Sequence, residues 1–211
     1  MDKLGLYNNA LLICGERSLS SLTENREPRR LLDTVYDQGG IDNCLEEAQW
    51  VFAIRTVMID HDPAVDPQFG YTWAFSKPSD WKITSALCSD ESFQVPITNY
   101  SDENWYWYAN EDPIYVKYVS NDASYGYNLG DWPASFAEFV SAYFAVKIVG
   151  KLTGDEDKKA EVKEHYKVAR LDAKNRNAMA GPTSFPARGS WVNSRQQGSR
   201  QDRGNRGQLI G

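Results

Sequence analysis

Few residues in this 211-residue chain are of types that carry chemistry, and their spacing decides what they could do. The two histidines are His61 and His165, and the three cysteines are Cys14, Cys44 and Cys88. His61 sits in IDHDPAVDP, with Asp60, Asp62 and Asp66 close by in sequence. An imidazole among carboxylates suits a metal ligand or a general base. A solvated loop following a helix has the same composition, and that is the reading adopted. His165 falls on the charged side of a helical stretch, where a surface residue belongs. The cysteines are scattered and form no CxxC pair, so they read as reduced, buried thiols of a chain made in a cytoplasm. Acidic runs occur at Glu46-Glu47, Asp90-Glu91 and Asp155-Glu156-Asp157. Glycoside hydrolysis needs two carboxyls facing across a cleft, one with its pKa raised by burial. The first and last of these runs instead suit exposed helix faces or helix starts, where acids favour the macrodipole. GxGxxG, P-loop, GxSxG and HExxH patterns are absent. The chain reads as a non-enzyme with no cofactor, no catalytic residue and no metal ligand.

Two other features could bind rather than react. The run Trp105-Tyr106-Trp107-Tyr108 could stack bases or sugars, but an alternating aromatic strand more often buries one face and offers the other to a neighbour. Trp105, Trp107, Tyr115 and Tyr118 are accordingly candidates for a contact with a neighbouring subunit or another protein. From Pro182 onward the bases are Arg188, Arg195, Arg200, Arg203 and Arg206 against one acid, Asp202. That tail is +4, and the net charge of −6 leaves −10 for residues 1–181. An acidic body argues against a phosphate-gripping groove, although it would let DNA pass without sticking. The tail could be a nucleic-acid arm, since spaced Arg among Gly, Gln and Ser has that composition. Its apolar anchors Phe185, Pro186 and Trp191 favour an arm that folds onto a protein partner.

The elements that would position these residues follow from hydrophobic period. Leu4–Cys14 reads as a short helix closed by Gly15. A Ser-rich connector with cap residues Thr23 and Asn25 leads to a second helix, with Pro28 in its first turn. The stripe Leu31, Leu32, Val35, Leu45, Ala48 and Phe52 predicts one long helix, weakened or kinked at Gly39-Gly40. Residues 60–131 are rich in Pro, Asp, Asn and aromatics. Strands are expected at Tyr71–Phe75, Trp105–Ala109 and Ile114–Ser120, the last two as a hairpin around Asn110–Pro113, with a strand or two helical turns at Trp81–Cys88. Helical period returns after Trp132-Pro133 through Phe136, Phe139, Val140, Tyr143, Phe144 and Ile148, with Gly150 marking its end. Thr153-x-x-Glu156 reads as a capping box for a last helix whose inner face is Val162, Tyr166, Ala169 and Ala173. The expected class is α+β, mainly α. Residues 1–59 and 132–180 would form a helical bundle, residues 60–131 a β-containing insertion, and residues 181–211 an extended C-terminal arm. The opening MDKLGLYNNALLICGE has too short an apolar run for a signal peptide, and no membrane contact is expected.

The order of these pieces is familiar. YNNALLICGERSLSSL, the long helical stretch ending in Trp50-Val51-Phe52-Ala53, FGYTWAFSKPSDW, the SDE at Ser89–Glu91, DPIYVKYVS and LGDWPASFAEFVSAYFA run in sequence from about residue 4 to residue 195. Together they resemble the tail tubular protein A family of short-tailed bacteriophages. The resemblance implies a structural head-to-tail adaptor in the virion neck. It would be a homo-oligomeric ring, generally of twelve subunits, between the portal protein and the tail nozzle protein, with DNA passing through its lumen. It also implies that Pro182, Phe185, Pro186, Arg188, Trp191 and Arg195 lie where related adaptors reach the portal. Two other classes stay open at this point: a tail-associated peptidoglycan hydrolase, and a nucleic-acid-binding module using the Arg-rich tail.

Overall fold

The computed structural model describes residues 1–181. The expected arm, with Pro182, Phe185, Pro186, Arg188, Trp191 and Arg195, lies outside the described residues.

Helix α1 spans Lys3–Cys14. The Asp2 carboxylate accepts from the Gly5 N–H at 2.8 Å, satisfying one of the orphan donors of the first turn. Gly15 closes the helix at φ 76°, where a glycine has no Cβ to clash. Helix α2 spans Glu27–Asp37 with Pro28 in its first turn; Arg26, rather than Thr23 or Asn25, stands at its N-cap position. The chain does not continue as one long helix. Gly39 takes φ 76°, which ends α2, and a six-residue α3 starts afresh at Gly40–Leu45. The two glycines play different parts. Gly39 breaks the helix, and at Gly40 a Cβ would come within 2.7 Å of the Val35 carbonyl and 3.0 Å of Phe144. Beyond a 3-10 turn at Val51–Ala53, Ile54–Ile59 forms strand β1. Its β-branched residues Ile54, Thr56, Val57 and Ile59 are stiff at χ1 and fit a pleated surface better than a helix.

The remaining strands are β2 (Trp73–Ser76), β3 (Trp81–Cys88), β4 (Ser101–Asp102), β5 (Tyr106–Ala109) and β6 (Ile114–Ser120). All pairings are antiparallel, in two three-stranded sheets ordered β1-β6-β3 and β2-β5-β4. The expected hairpin of β5 with β6 is therefore not formed, because the two strands belong to different sheets. Each turns apolar side chains into a shared core instead. Trp107 and Ala109 from β5 meet Ile114, Val116 and Tyr118 from β6, with Phe75, Leu87 and Ile97 around them. The two sheets thus pack face to face, with alternate residues pointing away from the core.

Helix α4 (Ala134–Leu152) runs two residues past Gly150, and α5 spans Glu156–Ala180. The cap of α5 is Asp155, whose carboxylate accepts from the N–H groups of Asp157 at 2.9 Å and Lys158 at 3.4 Å; Thr153 supports Asp155 instead. A second core joins the helices: Leu6, Tyr7, Leu11, Ile41, Trp50, Phe136, Phe139, Phe144, Ile148 and Val162. Val119 of β6 enters this core and Ile83 of β3 packs on it, so the helices cover one end of the outer face of the β1-β6-β3 sheet. Met1–Ala180 is one compact α+β unit. No described helix is long and apolar enough to cross a membrane.

Candidate interaction surface

Both histidines and several of the carboxylates singled out for chemistry are engaged in holding the fold. His61 Nδ1 lies 2.8 Å from Asp112 Oδ2, and its backbone N–H donates to Asp112 Oδ1 at 3.0 Å. Its ring packs at 4.3 Å on Trp73. Asp62 instead accepts from Ser76 Oγ at 2.7 Å and from the Ala64 N–H, which hold its carboxyl below the ordinary range. Among the described residues no three His, Cys, Asp or Glu groups converge as metal ligands. His165 Nε2 pairs with Glu138 at 2.7 Å, linking α5 to α4. Glu47 takes Arg170 Nη2 at 2.7 Å and Lys174 Nζ at 2.8 Å, which fastens α5 beside the end of α3. Asp90 holds its own loop through the N–H groups of Gln94 and Val95.

The cysteines are free and buried. Burial pushes the Cys14 thiol up to about 11, with Lys158 opposing, and raises Cys44 and Cys88 as well. A thiol that is neither ionised nor accessible is a poor nucleophile. The native protein should therefore react with a chromogenic disulfide reagent at pH 8 about a hundred-fold more slowly than the urea-unfolded chain. Comparable rates would show that the thiols are available.

Two polar clusters brace the sheets, one within the β1-β6-β3 sheet and one between the two sheets. The Asp80 carboxylate accepts from Arg55 Nη1 at 2.9 Å, Tyr118 Oη at 3.1 Å and Ser120 Oγ at 2.5 Å. Burial alone would raise its pKa, but these donors outweigh it and hold the carboxyl below the usual carboxylate range. In the other cluster the Lys77 side chain is 2% exposed. Its ammonium lies 3.5 Å from the Trp81 ring centroid and pairs with Asp102, which also accepts from Thr84 Oγ1 and Trp107 Nε1. This cation–π and ion-pair lock joins β2, β3, β4 and β5. Nothing in the spacing of Lys77, Thr84 and Asp102 announces it in the sequence.

The four aromatic contact candidates separate. Trp107 and Tyr118 are fully buried in the inter-sheet core, so they are not available as an outer surface. The reason is strand parity: both point inward, toward the facing sheet. Trp105 precedes β5 and is 72% exposed, and Tyr115 is half-buried on the outer face. The register places Tyr115 opposite Met58, which is 57% exposed, and Val95 is exposed nearby in the loop after β3. Hydrophobic period did not single out Met58 because an outward apolar residue on a strand looks the same as an inward one, and Val95 lies in a loop that has no period. On the helices, Leu12, Val168, Leu171 and Met179 are exposed as well. An open groove of about 620 Å3 lies between α1 and α5, with Leu12, Ile13, Val162 and Val168 among its walls. A smaller pocket of about 190 Å3 is lined by Trp50, Phe52, Pro133, Phe136, Ala173 and Asn177. The larger groove also carries Lys158, Glu161, Glu164 and His165 on its wall, with Lys158 bonded to Glu161 and His165 to Glu138.

No protein-family model matches the chain. No curated protein is significantly similar to it either. The surface is left to speak through its chemistry: bound-up polar groups, and large apolar side chains left open to solvent.

Proposed function

We propose that this chain is a structural subunit of a head-to-tail adaptor in a tailed-phage virion. It would be a helical bundle carrying a β-containing insertion and a C-terminal arm, assembled as a ring of twelve between portal and tail nozzle. The observation that carries the reading is the contrast just described. His61, His165, Asp62, Glu47 and Asp90 are spent on internal bonds, while Met58, Trp105, Leu12, Val168, Leu171 and Met179 remain exposed. Leu12 and Val168 share the open groove between α1 and α5, and a shared apolar surface of that kind suits an assembly contact. The ordered resemblance of the sequence to the tail tubular protein A family supports the same reading. The net charge of −10 over residues 1–181 suits a subunit that lines a DNA path without binding DNA tightly.

The arm from Pro182, with Phe185, Pro186, Arg188, Trp191 and Arg195, is proposed to reach the portal, and Trp105 and Tyr115 to meet a neighbouring subunit or the nozzle. Mixing the purified chain with the portal of the same virion is expected to give a large ring complex in size-exclusion chromatography with light scattering. Deleting residues 182–211 should weaken capture about ten-fold or more, since apolar anchors carry most of an interface's energy. A truncated chain that binds with full affinity would remove the arm assignment, and failure of the full chain to bind would remove the adaptor reading itself.

A further inference from the structure

The two sheets present four edges, and an edge strand offers unpaired N–H and C=O groups to any strand that reaches it. Three of the four are blunted. Strand β3 has register shifts between Trp81 and Ile83 and between Thr84 and Ala86. Its far end is covered by the following loop, where the Ile97 N–H donates to the Leu87 carbonyl at 2.9 Å. Strand β2 is met by the Asp62 N–H, which donates to the Ala74 carbonyl at 2.8 Å. Strand β4 is two residues long. Strand β1 differs from all of these. Its six residues keep an unbroken register with β6, from Ile54 opposite Val119 to Ile59 opposite Ile114. It contains no Pro, no Gly and no bulge. Among the described residues no backbone hydrogen bond outside the β1–β6 ladder involves Arg55–Ile59. Every second N–H and C=O of β1 therefore faces away from β6, without a partner strand.

We propose that β1 pairs antiparallel with β1 of a second copy of this chain, joining two β1-β6-β3 sheets into one six-stranded sheet. The strand is complementary to itself. Val57 and Ile59 point into the inter-sheet core, while Thr56 and Met58 point outward. A twofold axis at Thr56 sets Ile54 against Met58 of the second copy and Arg55 against Val57, and keeps every side chain on its own face. The one charged residue, Arg55, then lies opposite an apolar one, so like charges are not directly opposed. The exposed Met58 gains an apolar neighbour. Each copy also brings the acidic stretch 60–131, with twelve Asp and Glu against three Lys, so the pair should tighten as salt screens that repulsion. Neighbours in a cyclic ring of twelve meet head to tail, so this twofold pair is a form of the free subunit and opens before ring closure. It stands apart from the adaptor reading and needs no portal for its test.

The full chain is examined by sedimentation equilibrium over a range of concentrations at low and high salt, with hydrogen exchange of residues 54–59 followed in parallel. The expected mass is twice that of one chain at high concentration, falling toward one chain on dilution. Protection at 54–59 should rise with the same midpoint, and high salt should lower the dissociation constant. Thr56→Lys opposes two lysines at the axis and should weaken the pair several-fold with an unchanged thermal melt. Met58→Lys, at an already exposed side chain, repeats the test should Thr56→Lys disturb the fold. A chain that stays monomeric, a pair indifferent to both substitutions, or a larger ring whose 54–59 amides exchange as in the dilute monomer would each overturn the proposal. So would protection of 54–59 seen only when a different protein is added, which would make the occupant a donated strand.

Discussion

Trp50→Ala is expected to cost about 3–5 kcal/mol of unfolding free energy. Trp50 is 1% exposed, and its ring meets Phe136 edge-on with centroids 4.7 Å apart and Phe139 at 5.9 Å. The indole Nε1–H donates to the Cys44 carbonyl at 2.9 Å. Alanine removes the ring, leaves a cavity where α3, the 3-10 turn and α4 converge, and strands a buried carbonyl without its donor. Trp50→Phe separates the two contributions. It keeps most of the packing and loses the hydrogen bond, for a cost nearer about 1–2 kcal/mol. Urea titrations followed by far-ultraviolet circular dichroism give both numbers. A Trp50→Ala midpoint equal to that of the unaltered chain would mean that Trp50 is not a keystone of the helical core.

The second large effect concerns Asp80. Asp80→Ala removes the acceptor shared by Arg55, Tyr118 and Ser120, leaving their donors without it at the end of the β1-β6-β3 sheet. The expected loss is about 3 kcal/mol. It stays below the cost of breaking a fully buried pair because the Arg55 side chain is 37% exposed and water partly screens it. The same carboxylate makes stability depend on pH. Its folded-state pKa lies below the unfolded value of about 3.9, so its stabilisation is fully present above that value and is lost as pH falls through the folded one. Glu47 acts in the same sense. Burial would raise its pKa, but Lys174 and Arg170 hold it below the usual range, and its stabilisation fades on the acid side of about pH 4.3. Urea midpoints measured down a pH series should fall below about pH 4 in the unaltered chain and fall less in Asp80→Asn. Parallel curves for the two proteins would show that Asp80 is not linked to acid unfolding.

What the sequence determined by itself is local. Gly15 after a helical run, Pro28 in a first turn and the apolar stripe of α4 each act within a few residues, and all three lie where their spacing places them. The α+β class, the inner face of α5 and the β character of Tyr106–Ala109 and Ile114–Ser120 follow from period in the same way. Tertiary structure decided whatever depends on partners distant in the chain. Gly39-Gly40 is compatible with a kink or a break, and the need to bring Gly40 against Phe144 goes with the break. An alternating strand shows two faces but not which sheet it joins, so β5 and β6 could not be assigned to separate sheets from their spacing. For the same reason Trp107 and Tyr118 could not be told from surface aromatics until the facing sheet enclosed them. The Lys77 lock and the Asp80 cluster bring together residues from separate strands and turns, and no local period encodes them. Strand period is two, so it sorts side chains into two faces; burial is settled only by what packs against each face.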